Sequence, residues 1–270
     1  MIKKILILLV IALTACELEE APDFGRVGDS VRFSGRDWYV KYSSGPVGPG
    51  PNLFSRLNED VFLDGRGYLH MRIADHNGLW YSSEIVGLDT VGYGVYTFVM
   101  EGDLENIPEN VVVGLFSWNT ESFQEEANSE VDIEFAKWLD ETTTQTLHYS
   151  VQPVNFGPYY PERSHQANTQ PGDLIGVTTH QFIWTDSLIT WTSWRGGGTT
   201  GRQIANWSFN TSNPPRIKNE GPNSSNPIVI PGPAESTNAR INFWLLGGIP
   251  PSDGQVQEIV IRSYNYEGFE

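Results

Sequence analysis

The 270-residue chain has one cysteine, Cys16, so no disulfide within the chain can staple it. It has no Cys/His cluster at zinc-site spacing, no Gly-rich phosphate loop opening a helix and no Gly-x-Ser-x-Gly elbow. Structural zinc, nucleotide-phosphate and α/β-hydrolase chemistry are thereby set aside. Cations are scarce: 17 Lys plus Arg face 33 Asp plus Glu, a net charge of −16 at pH 7. A nucleic-acid binder carries a basic footprint, so nucleic acid is excluded as a partner and polyanionic substrates are disfavoured. Helical periodicity is nearly missing, and no internal repeat is found.

The first sixteen residues read as a leader. Lys3 and Lys4 form a positive start, residues 5–13 an apolar core, and Leu13-Thr14-Ala15-Cys16 a small-residue cleavage site. An apolar run of nine is too short to span a bilayer. This stretch resembles a bacterial lipoprotein signal, which implies lipidation of Cys16 and an exported protein held on a bacterial membrane by its lipid, in the periplasm or at the cell surface. Without Lys3 and Lys4 the balance becomes 15 against 33, or −18. Residues 17–29, acidic and carrying Pro22, read as a tether. Residues 30–270 remain as one domain, long enough to bury a single core.

What is abundant is strand and turn signal. Short β-branched and aromatic runs at 31–33, 38–42, 53–63, 68–74, 80–86, 93–101, 111–118, 130–135, 144–152, 177–184, 189–194, 203–209, 239–246 and 256–264 alternate with Gly, Pro and Asn clusters. More than ten strands without helices predict an all-β fold of two packed antiparallel sheets. Residues 155–173, with three prolines, read as a loop walling a cleft, and residues 210–237 as a Pro/Asn/Ser-rich excursion. Nine Trp, 11 Tyr and 13 Phe suit a sugar cleft, although the core claims most aromatics of any such fold.

One stretch organises the rest: Glu130, Val131, Asp132, Ile133, Glu134, then Phe135. At period two the acids share one strand face and the apolar residues the other. Like charges in register repel and cost stability, so this row points to a use. Glycoside hydrolysis needs two carboxyls flanking one bond, roughly 5 to 5.5 Å apart when configuration is retained. Glu130 and Glu134 have Cα atoms roughly 13 Å apart on an extended strand, so their side chains must lean together over Asp132. Asp132 then lies close enough to separate their pKa values. Two plainer readings stand beside this one: an ordinary solvated face, or oxygen ligands of a structural Ca²⁺ ion. No cofactor is called for.

The Glu-x-Asp-x-Glu stretch, with Gly92-Tyr93-Gly94-Val95-Tyr96, Gly114-Leu115-Phe116-Ser117-Trp118 and Asn242-Phe243-Trp244-Leu245, resembles the family 16 glycoside hydrolases over residues 30–266. The resemblance implies a concanavalin A-like β-jelly-roll, with Glu130 as nucleophile, Glu134 as acid/base and Asp132 tuning the pair. It further implies sugar contacts from Trp118, Trp244, Glu84 and Asn52. Two departures from the lichenase pattern are visible: Val86 stands where a basic residue follows the cleft Glu, and Asn128 where a Trp precedes the nucleophile. Face arithmetic adds His148 and Gln152, because the polar side of 147–152 falls beside the acids if the two strands form a hairpin.

These readings converge on a monomeric, retaining endo-β-glycanase acting on a β-linked polysaccharide or oligosaccharide. Transglycosylation at the same site and a noncatalytic carbohydrate-binding lipoprotein are the alternatives.

Overall fold

The computed structural model describes residues 29–154, 163–212 and 228–269, so Cys16, the leader and nearly all of the tether lie outside the described residues. The strands in chain order are β1 (Ser30–Phe33), β2 (Arg36–Val40), β3 (Leu53–Phe54), β4 (Val61–Leu63), β5 (Leu69–His76), β6 (Leu79–Gly87), β7 (Gly94–Asp103) and β8 (Val111–Trp118). They continue as β9 (Val131–Ala136), β10 (Leu147–Val151), β11 (Ser164–Gln166), β12 (Ile175–Trp184), β13 (Leu188–Arg195), β14 (Gln203–Asn210), β15 (Asn238–Leu245) and β16 (Gln257–Gly268). The only α-helix among the described residues is α1, the single turn Phe123–Glu126.

Hydrogen-bonded order divides the strands into two layers. The front sheet runs β11-β10-β9-β8-β15-β6-β2-β1 and the back sheet β4-β5-β16-β7-β12-β13-β14. The expected pair of antiparallel sheets is present, joined where the β5–β6 hairpin bonds Ala74 to Tyr81 and carries the chain from back to front. This is a β-jelly-roll sandwich.

Alternation decides which residues fill it. On β7, Tyr96, Phe98 and Met100 are fully buried between the sheets, while Val95, Thr97 and Val99 face outward. On β9, Val131, Ile133 and Phe135 are fully buried and turn the acids to the other side. Across the gap from β9 stand Phe182, Trp184 and Trp191, with Phe182 stacked at 4.3 Å on Tyr96, its neighbour in the back sheet. Aromatics of this size each bury on the order of 150–250 Å², which makes them the main apolar contribution to the core.

Three local expectations are revised. The run 53–63 is two short strands, because Asn58 takes a left-handed turn (φ 65°) between β3 and β4. Leu53 and Phe54 pair in parallel with β6, so the sandwich is not wholly antiparallel. Within 155–173, residues 155–162 lie outside the described residues, and the next segment forms β11 on β10 instead of loop. Of 210–237, residues 213–227 lie outside as well.

Candidate active site

The chain enters β9 through a tight 3₁₀ turn, Ala127–Ser129, in which all three residues are left-handed (φ 46°, 62° and 53°). Non-glycine residues take that conformation at a cost of roughly 1–2 kcal/mol each, so surrounding contacts must hold it. Ser117 does part of this: its hydroxyl donates to the Ser129 carbonyl at 2.8 Å and accepts from Val131 N–H at 3.2 Å. From the other side Gln152 N–H donates to the Glu130 carbonyl at 3.1 Å. Glu130 is thus fixed just before its strand begins.

Register then lays out the floor in two rows. One reads His148, Glu134, Gly114, Asn242, Glu84 across β10, β9, β8, β15 and β6. The other reads Ser150, Asp132, Phe116, Arg240, Val86 across the same five strands. Asp132 is 4% exposed and accepts from Ser150 Oγ at 2.8 Å and Gln152 Nε2 at 3.4 Å. Glu130 and Glu134 are half-buried.

Burial is the first cause of every carboxyl shift here, because a charge leaving water loses solvation. It raises Glu134 to about 8, with the Asp132 charge adding to the effect. Asp132 is raised to about 6; hydrogen bonds from Ser150, Gln152 and Glu130 hold it back from going further. Glu130 is raised well above the usual carboxylate range by burial, then by the charges of Asp132 and Glu134 and by its bond to Asp132, while Arg240 pulls it down. At neutral pH these shifts favour the protonated form of Glu134, push Glu130 in the same direction and leave Asp132 the most acidic of the three. One acid ready to give a proton and one carboxylate pair ready to become an anion suit acid-assisted nucleophilic displacement.

The other expected residues fall in several places. Trp118 and Trp244 are half-buried on the acid-bearing face. The Trp118 indole N–H donates to Thr120 Oγ1 at 3.2 Å. His148 is 8% exposed; its Nε2–H donates to the Ala136 carbonyl at 3.1 Å, and burial lowers its pKa, so it is neutral with Nδ1 as the acceptor. Gln152 bridges, accepting from Val154 N–H at 2.6 Å while reaching Asp132. Asn52 is wholly engaged by the protein. Its amide donates to Pro49 O at 2.7 Å and Leu245 O at 2.9 Å and accepts from Ser82 Oγ and Leu245 N–H, so it ties the 43–51 loop to the end of β15. Glu84 is 1% exposed and bonds to Lys41 Nζ at 3.1 Å and Arg240 Nη1 at 3.3 Å. Both are built into the floor beneath the acids' row and offer a ligand little open surface.

Two floor residues escaped the sequence reading. Asn242 is 6% exposed and its Oδ1 has no hydrogen-bond partner, although it lies beside Glu134 in the row. Gly114 makes room for it: a Cβ there would sit 2.4 Å from that oxygen. Arg240 lies directly opposite Val86, so the cation missing from β6 is supplied by the neighbouring strand. Period-two counting back from Trp244 and Asn242 reaches Arg240, which was the available signal. Among the described residues no group of three or more His, Cys, Asp or Glu side chains is arranged to hold a metal ion.

No protein-family model and no curated protein sequence matches the chain. Solved structures do. A Bacillus licheniformis β-glucanase aligns with a TM-score of 0.55 at 16% identity, covering 91% of this chain and 95% of that one. The Bacteroides ovatus mixed-linkage glucan PUL GH16 protein, in complex with a G4G4G3G product, aligns at 0.56 and 14% identity, covering 85% and 94%. A pseudo β-1,3-glucanase of Mycobacterium tuberculosis aligns at 0.56 and 18% identity, covering 86% and 91%. Likenesses at these identities establish a shared jelly-roll fold.

Proposed function

We propose that this chain is a retaining endo-β-glycanase. Glu130 attacks the anomeric carbon, Glu134 protonates the leaving oxygen and then deprotonates the incoming water, and Asp132 sets their protonation. The observation that carries this reading is the split within one row of acids: Glu134 is held protonated at about 8, while Asp132, at about 6, accepts hydrogen bonds from Ser150 and Gln152. A solvated face would show neither burial nor this division. Glu130 bonds to Asp132, so a proton acceptor stands beside it when Glu130 becomes the attacking anion. Half-buried Trp118 and Trp244 offer stacking surfaces that suit a β-linked glycan. The Bacteroides neighbour holding an oligosaccharide product supports a glycan as ligand. The leader reading adds export and a lipid on Cys16 as the tie to a membrane.

The test is cleavage of β-1,3-glucan, mixed-linkage glucan, xyloglucan, agarose and carrageenan by the folded domain, beside Glu130→Gln and Glu134→Gln. The parent should cleave at least one with retention at the new reducing end, and each variant should lose about 10²-fold or more in kcat. Cleavage that survives both changes would remove the assigned roles. A second reading, a noncatalytic glycan binder, is favoured by one feature: Glu130, the nucleophile, is raised toward its protonated form in the free site. Binding without cleavage by the unmutated protein would establish it.

A further inference from the structure

The glycan contacts assigned so far are lopsided about the acid-bearing strand. Trp118 and Trp244 stand on β8 and β15, to one side of β9, whereas β10 and the residue after it, on the other side, turn only His148, Ser150 and Gln152 to the same face. A protein that cuts within a glycan must hold sugar on both sides of the bond. The turn that leaves β9 carries the kind of surface that β10 lacks. Of the nine tryptophans Trp138 is the most exposed, at 37%. Its ring meets the His148 ring edge to face, with centroids 6.1 Å apart and planes at 72°. His148 is in register with Glu134, and such cross-strand neighbours have Cβ atoms roughly 5 Å apart. Trp138 is thus linked to the acid/base through one intervening side chain.

We propose that Trp138 and His148 form a sugar-binding subsite at the β10 end of the floor, where the indole stacks on a pyranose ring of the same glycan that the acids cut. The inference rests on the glycanase reading above and deepens it, by assigning what holds the chain on the side away from Trp118 and Trp244.

A pyranose has an apolar face of C–H groups and a rim of hydroxyls, so it needs an aromatic surface with a hydrogen-bonding group beside it. Trp138 provides the surface. His148 provides the group: its Nε2–H is committed to the Ala136 carbonyl at 3.1 Å, which fixes the tautomer and leaves Nδ1 to accept from a hydroxyl. The backbone that carries the indole is held in an unfavourable shape. Trp138 and Leu139 are both left-handed (φ 51° and 66°), a conformation that disfavours bulky side chains. Leu139 N–H donates to the Glu109 carbonyl at 2.9 Å and Asp140 N–H to the Lys137 carbonyl at 2.9 Å, while Asp140 Oδ1 accepts from Thr142 N–H at 2.9 Å. The ring is therefore presented on a fixed turn. A tryptophan that served only to cover His148 would gain most from full burial, and this one keeps a face in water.

The test uses Glu130→Gln protein with nitrogen-15 in its indoles, so that glycan can bind without being cut. Six-unit oligosaccharides of β-1,3-glucan, mixed-linkage glucan, xyloglucan, agarose and carrageenan are titrated in turn, with the Trp138 signal identified by its loss in Trp138→Tyr. An oligosaccharide that binds should shift that signal. Trp138→Asn, which suits the left-handed turn but has no ring, should weaken its binding about tenfold, and Trp138→Tyr should recover much of the loss. With Glu130 intact, Trp138→Asn should raise KM and leave kcat within about twofold. A ring that merely props His148 would change kcat instead and would not respond to sugar. An unshifted Trp138 signal, an unchanged affinity, or no binding of any of the five overturns the proposal. If Trp138→Asn does not fold, the indole signal of the folded Glu130→Gln protein decides alone. The subsite and the enzyme reading fail separately: a protein whose Trp138 signal responds but which cleaves no glycan loses only the catalytic roles, and one that cleaves with a silent Trp138 loses only the subsite.

Discussion

The indole N–H of Trp191, on the back sheet, donates to the main-chain carbonyl of Asp132 at 2.9 Å. Nearby, Tyr149 Oη and Ser193 Oγ meet at 2.7 Å. Both contacts cross the sandwich beneath the acids, so the position of the central aspartate depends on the far sheet as well as on its own strand. Replacing Trp191 by Phe removes the donor and retains an aromatic ring. It should cost about 1–3 kcal/mol in urea denaturation and lower kcat more than it raises KM. Trp207→Phe, which alters a ring stacked on Trp191 at 4.7 Å without touching Asp132, should leave the KM-to-kcat pattern of the parent. Equal kinetic effects from both would deny Trp191 any special hold on the site.

On the proposed reading, Glu134 gives the activity its alkaline limb. It works as an acid only while protonated, so kcat/KM should fall as pH rises through about 8. The same shift bears on stability. A carboxyl whose folded pKa is raised favours the fold below its unfolded value near 4.5, and that advantage disappears as pH climbs from there through about 8. Glu134→Gln, neutral at every pH, should therefore be inactive but melt higher than the parent at pH 8 to 9. Scanning calorimetry at pH 5 and pH 8.5 checks this; a difference that does not grow with pH would contradict it.

His180 should make the fold acid-sensitive. It is fully buried between Ser193 Oγ at 2.7 Å and Thr178 Oγ1 at 2.8 Å, with the Phe135 ring edge-on at 4.9 Å. Burial depresses its pKa to about 3. Above about 6.5 both folded and unfolded forms are neutral and stability is complete. Below that the unfolded chain takes up a proton that the folded one refuses, so stability drops progressively toward pH 3. Urea midpoints at pH 7, 5.5 and 4.5 should decline, and His180→Gln should flatten that part of the decline.

Gly114→Ala should disturb the cleft through Asn242. The added methyl would lie 2.4 Å from Asn242 Oδ1 and would push the amide away from the Glu134 row. Affinity for an oligosaccharide, read by calorimetry on the Glu134→Gln background, should weaken to about the level of Asn242→Ala. The double variant should then add little, since neighbours sharing one contact are not additive. Fully additive losses would mean that Gly114 matters for another reason.

Much of this was legible in order along the chain. The acid-bearing strand, the following strand with His148 and Ser150 on its polar side, and the strands at 177–184 and 189–194 all announced themselves by period-two alternation, which is a property of adjacent residues. Glu84 and Asn52 show where that reading stops. The resemblance implied sugar contacts from both, but Glu84 is bound by Lys41 and Arg240, and Asn52 by Pro49, Ser82 and, nearly two hundred positions away, the end of β15 at Leu245.

The sequence by itself determined that the chain is a β-sandwich and that three carboxyls share one face of one strand, because strand geometry alternates side chains whatever lies alongside. Tertiary structure decided which of those carboxyls keeps its proton, what braces Asp132 from behind, and that a cation from β15 stands where β6 has Val86. Those outcomes depend on contacts between segments far apart in the chain and on burial, and neither can be counted along a chain.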